Sequence, residues 1–190
     1  IEVWKGGLIL GVIVWGGFIL QMLGLTEVTP AVSAFLTSLY VVFTALIGVF
    51  TGMQKLTRFA IIGVILATFG AGWISGPPQL NFGLGEWLTV GCALLFGAHI
   101  IATDKVTKIV DPIQVTATML ITVAVLSIIV FLLSSRQNLN DFTILMKNFD
   151  FVFPLMLCAI LGSLVALLVL NIFQKQVSPV RAAILYALEP

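Results

Sequence analysis

The sequence predicts an all-α fold, a polytopic bundle of membrane-spanning helices. Three observations carry this. Of the 190 residues, 60% are hydrophobic, and the mean hydropathy is +1.18. Only 9% are charged, against roughly 25% in an average soluble domain. The apolar residues also gather into seven runs, most of them long enough to cross a bilayer at ~20 residues per helix. Nine Lys and Arg with eight Asp and Glu cannot coat a soluble globule of this size. A net charge of +1 offers no basic face to nucleic acid. The expected partner is therefore the lipid bilayer. Strands of a membrane β-barrel would alternate with period two over ~10 residues, and these runs are too long and too continuously apolar for that.

The first run, Gly6 to Leu25, contains one strongly polar residue, Gln21. It ends at Thr26-Glu27-Val28-Thr29-Pro30, where Pro30, lacking an N–H, suits the first turn of the next helix. The second run, Ala31 to Phe50, follows so closely that the two helices form a tight hairpin. After a loop with Lys55 and Arg58 comes a short third run, Phe59 to Ile74, which a snorkelling Arg58 would extend. The Gly/Pro-rich stretch Gly76 to Gly83 marks a boundary between halves. The expected division is residues 1–76, an inter-half loop at 77–86, and residues 87–190. The fourth run is Trp87 to Thr103, with Asp104, Lys105, Lys108 and Asp111 in the loop behind it. The fifth runs from Pro112 to about Leu133, and the longest loop, Ser134 to Asp150, separates it from the sixth, Phe151 to Phe173. The seventh starts after Ser178-Pro179.

Numbering the loops alternately places Lys5, Lys55, Arg58, Lys105, Lys108, Lys175 and Arg181 on one side and only Arg136 and Lys147 on the other. By the positive-inside rule the start of the chain is expected in the cytoplasm. The chain opens at Ile1 without Met or a signal-peptide pattern and stops at Pro190 inside an apolar run, so it is expected to be a fragment. Cys92 and Cys158 both sit in apolar runs, which argues against a disulfide or metal framework. No metal site and no cofactor is expected.

Small residues recur at four-residue spacing in Gly7/Gly11, Gly63/Ala67, Ala93/Gly97 and Ala183/Ala187. In lipid, such pairs allow helix backbones to approach closely. Polar groups at membrane depth are costly and usually face the bundle interior or a watery cavity. Ser33, Thr37, Tyr40 and Thr44 lie at i, i+4, i+7 and i+11, on one helix face. They read either as the lining of a cavity or as hydroxyls bonded back to their own helix carbonyls. His99, the only histidine, reads either as a proton acceptor or as a neutral imidazole bonded to a neighbouring helix. Gln21 and Asn171 are cavity candidates or interhelical bonds in equal measure. Glu189 is expected near the bilayer centre, where a carboxylate costs ~3 kcal/mol unless protonated, paired or wet. Pro190 behind it would free a carbonyl one turn back, near Tyr186, making it a candidate helix break.

Residues 21–41 align without a gap against 170–190, at an offset of 149. Val28, Pro30, Ala34, Leu36 and Leu39 match Val177, Pro179, Ala183, Leu185 and Leu188. The alignment sets Thr37 opposite Tyr186 and Tyr40 opposite Glu189. By the loop charges these helices run in opposite directions, as in the inverted repeats of secondary transporters, whose site lies near midplane between the repeats. The stretch Val177 to Pro190, with its Ser-Pro start, Ala182-Ala183 and Leu188-Glu189-Pro190, resembles the signature of the EamA family of the drug/metabolite transporter superfamily. Ser33 to Phe43 is similar to the first-repeat counterpart, and Ala93 to Lys105 with Asp111-Pro112 to the stretch opening the second repeat. The resemblance implies ten helices in two inverted five-helix repeats with cytoplasmic termini, of which these seven spans are the third to ninth. It implies that Glu189 and Pro190 form the family's Glu-Pro pair, and that Arg181 and Asp104 are its loop-proximal charges. His99 departs from the family's aromatic or small residue, so no inherited role attaches to it.

The expected function is therefore a secondary transporter of the bacterial inner membrane. It would export a small metabolite, amino acid or drug-like compound by alternating access, with the proton as the simplest coupling ion. The candidate cavity residues are Glu189, Tyr186, Tyr40, Thr37, Ser33, His99, Gln21 and Asn171. An intramembrane enzyme would need clustered groups, yet the seven runs offer one His, one Glu and no Asp, and the chain has no Gly-x-Ser-x-Gly or His-Glu-x-x-His. A seven-helix photoreceptor would need a mid-span lysine, and there is none. A subunit that only packs against a partner is the remaining alternative, and the polar stripes argue mildly against it.

Overall fold

The computed structural model describes residues 2–53, 58, 61–66, 69, 83–133 and 142–186. Its described residues are helical apart from short turns, and five helices are long and apolar enough to cross a membrane. They fall on the first, second, fourth, fifth and sixth apolar runs. Within the third run, 61–66 is helical.

Helix α1 (Glu2–Leu25) has Glu2 in its first turn, where an acid suits the positive end of the helix dipole. It closes on Thr26, whose hydroxyl donates to the Leu23 carbonyl at 2.7 Å. The hairpin then enters α2 (Pro30–Ser38) through an N-cap at Thr29, whose Oγ1 accepts from Val32 N–H at 3.4 Å. The second run is not one uninterrupted helix. The Ser38 hydroxyl donates to Phe35 O at 2.6 Å, and Leu39 N–H reaches Leu36 O at 3.2 Å, three residues back instead of four. A tight turn at Leu39 therefore divides α2 from α3 (Tyr40–Phe50). Gly52, at φ 66°, turns the chain away behind α3.

Helix α4 (Leu84–Val106) begins where Gly83 N–H donates to Glu86 Oε2 at 2.9 Å. It continues past Thr103, so Asp104 lies in its last turn and not in the following loop. Lys108, one turn on, binds the Asp104 carboxylate at 2.7 Å, which compensates the charge of an aspartate only 3% exposed. Helix α5 (Pro112–Leu133) starts on Asp111, whose Oδ1 accepts from the N–H groups of Ile113 and Gln114, each at 3.0 Å.

The sixth run is also interrupted. Helix α6 (Phe149–Leu157), with Pro154 inside it, passes into a π-helical segment, Cys158–Val165, and then into α7 (Ala166–Gln174). Helix α8 (Pro179–Tyr186) follows a short turn and begins, like α2, on a proline.

Two buried clusters organise the bundle. Leu10, Val14, Val115 and Met119 join α1 to α5, while Val41, Ile100 and Ala183 join α3, α4 and α8. Small residues set these distances. A methyl group at Gly7 would overlap Thr118, and one at Gly11 would sit 2.6 Å from Thr122 Cβ. At Gly97 it would meet Phe43 Cβ at 2.9 Å, Thr44 N at 3.0 Å and Tyr40 O at 3.1 Å. Gly63 similarly faces Ile184 of α8. Ala93 and Ala183 are fully buried, whereas Ala67 and Ala187 lie outside the described residues. By contrast, Phe149–Val165 contains no buried residue. Large side chains such as Phe50, 87% exposed, stand outward along the spans. Such a surface suits hydrocarbon, where helices satisfy their own backbone groups.

Candidate functional site

A cavity of about 670 Å³ lies among the helices. Helix α1 contributes Val14 and Phe18, and the α2–α3 pair contributes Thr37 and Tyr40, which flank the turn at Leu39. Phe96, His99 and Ile100 come from α4, and Leu185 and Tyr186 from α8. The remaining wall is Leu161, Gly162, Val165, Ala166, Leu167, Val169 and Leu170, from the π-helical segment and α7. Both irregular stretches of helix thus border the same space. Irregular backbone at membrane depth is tolerated where it is buried in protein or lines a cavity.

The structure brings four of the expected residues together: Thr37, Tyr40, His99 and Tyr186 all line the cavity. Three of them have side-chain partners on neighbouring helices. Gln21 Nε2 donates to Thr37 Oγ1 at 3.5 Å, so Gln21 supports the cavity wall without lining it. Tyr186 OH donates to Gln174 Oε1 at 3.2 Å across the α7–α8 turn. His99, 3% exposed, places Nε2 3.4 Å from the Met119 thioether sulfur on α5. That is the interhelical contact expected of a neutral imidazole, since a thioether is too weak a partner for a buried imidazolium.

The other candidates sit elsewhere. Ser33 is buried at 2% exposure and is not in the lining. Thr44 donates back to the Tyr40 carbonyl at 2.7 Å, one turn away on its own helix. Asn171, fully buried, donates from Nδ2 to Thr116 Oγ1 on α5 at 2.7 Å and so takes the interhelical role. Glu189 and Pro190 lie outside the described residues.

Sequence reasoning missed the larger part of the lining. Phe18, Phe96 and the aliphatic wall from Leu161 to Leu170 were hidden because a search for polar residues in apolar runs passes over apolar residues that face a void. Gln174 was also missed, although a second amide three residues after Asn171 puts both on one face of α7. Among the described residues there is no group of three or more His, Cys, Asp or Glu side chains that could hold a metal ion.

Comparison with known proteins decides the family. The model of the EamA-like transporter family matches residues 83–190, more than half of the chain. The chain belongs to the EamA-like transporter family. An "Uncharacterized transporter" of Archaeoglobus fulgidus is 28% identical to it over 185 residues, covering 97% of this chain and 57% of that relative. The chain thus spans little more than half the length of the curated relative it matches. No solved structure matches it significantly. Family and apolar helices together identify an integral membrane protein of the EamA-like, drug/metabolite transporter type.

Proposed function

We propose that the protein is a secondary transporter that moves a small molecule through this cavity by alternating access, in the exporting direction. One observation carries the reading: Thr37 and Tyr186, opposite each other in the internal alignment at offset 149, both line the cavity. The helices that bear them, α2 and α8, each start on a proline after a short turn from the preceding span. That correspondence supports two related halves, 1–76 and 87–190, meeting at one site. The family match beginning at residue 83 agrees with a second half of that extent.

Glu189, three residues beyond Tyr186, is the acid we assign to proton coupling. A single carboxylate can carry a proton without an ion-coordinating cage. The membrane is the bacterial inner membrane, with the start of the chain in the cytoplasm, as the seven-to-two loop charges favour.

The test uses the complete protein in proteoliposomes with an imposed pH gradient. Glu189→Gln should abolish gradient-driven transport while substrate exchange without a gradient persists. Gradient-driven transport at the wild-type rate across pH in this variant would remove Glu189 from the mechanism.

A further inference from the structure

The cavity has two chemically distinct walls. Its polar groups, Thr37, Tyr40, His99 and Tyr186, come from α2, α3, α4 and α8. The wall built by the π-helical segment and α7 is hydrocarbon throughout, from Leu161 to Leu170. Among the described residues, no lining side chain carries a formal charge. Among the described residues near the cavity, Asp104 is bound by Lys108 and Arg181 is exposed on α8. Burying a charged ligand group without a partner is strongly unfavourable, whereas hydroxyl and imidazole edges serve neutral donors and acceptors well. A volume of about 670 Å³ fits a molecule of drug size. Phe18 and Phe96, packed edge to face with centroids 5.7 Å apart, supply rigid aromatic surface at one side.

From this we infer that the cavity takes a mainly apolar molecule of drug size that carries no anionic group, with its hydrogen-bonding groups along one edge facing Thr37, Tyr40 and Tyr186. Amino-acid zwitterions and phosphorylated metabolites are poor ligands, because a carboxylate or phosphate finds no cation among the described lining residues. The inference rests on the cavity being the transport site and narrows what that site accepts.

Gly162 provides the reporter. A side chain there meets nothing within 4 Å, so a cysteine fits without disturbing the packing. The complete protein carrying Gly162→Cys in a Cys158→Ser background is placed in nanodiscs, and the rate of maleimide labelling is followed. The probes are 1-naphthol, 1-naphthylalanine and 1-naphthyl phosphate, which share a ring and differ in charge. Labelling should slow about fivefold or more with 1-naphthol and hardly at all with the other two. Adding Tyr186→Phe should raise the naphthol concentration needed by about three- to tenfold, the loss of one hydrogen bond. A thiol at Phe50, which faces outward, should be unaffected. Equal slowing at Phe50 would reduce the effect to partitioning into lipid and overturn the proposal. Protection by naphthylalanine or naphthyl phosphate at lower concentration than by naphthol would overturn the ligand class and leave the cavity as the site. Protection by none of the three would remove both.

Discussion

Gly97→Ala tests the packing that shapes the cavity. The added methyl carbon would stand 2.9 Å from Phe43 Cβ, 3.0 Å from Thr44 N and 3.1 Å from Tyr40 O. Two of these are backbone atoms and the third is a Cβ, so no flexible side-chain end can yield. Comfortable carbon contacts lie near ~3.5–4.0 Å, so α3 and α4 must separate by about half an ångström or more. Overpacking of this kind costs about 1–3 kcal/mol. The higher helix propensity of alanine returns up to about 1 kcal/mol. The net expectation is a loss of roughly 1–2 kcal/mol. Gly162→Ala is the matched control, because its methyl enters open space and only the propensity term remains. Thermal midpoints of the complete protein in detergent, followed by size exclusion, compare the two. At ~2–4 °C per kcal/mol, Gly97→Ala should melt several degrees below wild type and Gly162→Ala at or above it. If Gly97→Ala is as stable as Gly162→Ala, the close approach of α3 to α4 is wrong.

Asn171→Leu and Thr116→Val, singly and together, should give a coupling energy of about 0.6–1.5 kcal/mol in a double-mutant cycle read by unfolding in a denaturing detergent, since their 2.7 Å bond is wholly buried. Gly162→Trp should fill the cavity and lower transport at least tenfold with an unchanged thermal midpoint, because the new side chain starts from open space. A variant that loses transport only by unfolding would separate that residue from the cavity.

The spans were legible in the sequence because a bilayer demands long apolar runs, and five of those runs became helices long enough to cross it. Helix starts were legible too: Thr29-Pro30, Asp111-Pro112 and Ser178-Pro179 each open a helix in the structure. The two interruptions were not. A serine bonding its own turn at Ser38 and a π-helical segment around Gly162 leave little trace in the sequence, because these runs are apolar on nearly every face and a change of register moves no polar stripe. The structure divides the hydroxyl stripe on the second run, and Ser33 is buried away from the lining. Thr37 and Tyr40 line the cavity, while Thr44 closes on its own helix. Asp104 and Lys105 were read as loop residues because charge ends the apolar run there, whereas the helix continues to Val106 and buries Asp104 beside Lys108. His99 stood out as a lone polar group, and its Met119 partner on another helix could not be read from spacing along the chain.

The central claim is that the cavity among α1, the α2–α3 pair, α4, α7 and α8 is the transport path. Side-resolved labelling of Gly162→Cys, in a Cys158→Ser background, tests it most directly. Oriented vesicles of the complete protein are treated with a membrane-impermeant maleimide from one side or the other, with and without a pH gradient. The account predicts that the thiol is reached from one side at rest and from the opposite side when the gradient is applied. A thiol reached from the same side under both conditions, at an unchanged rate, would contradict it.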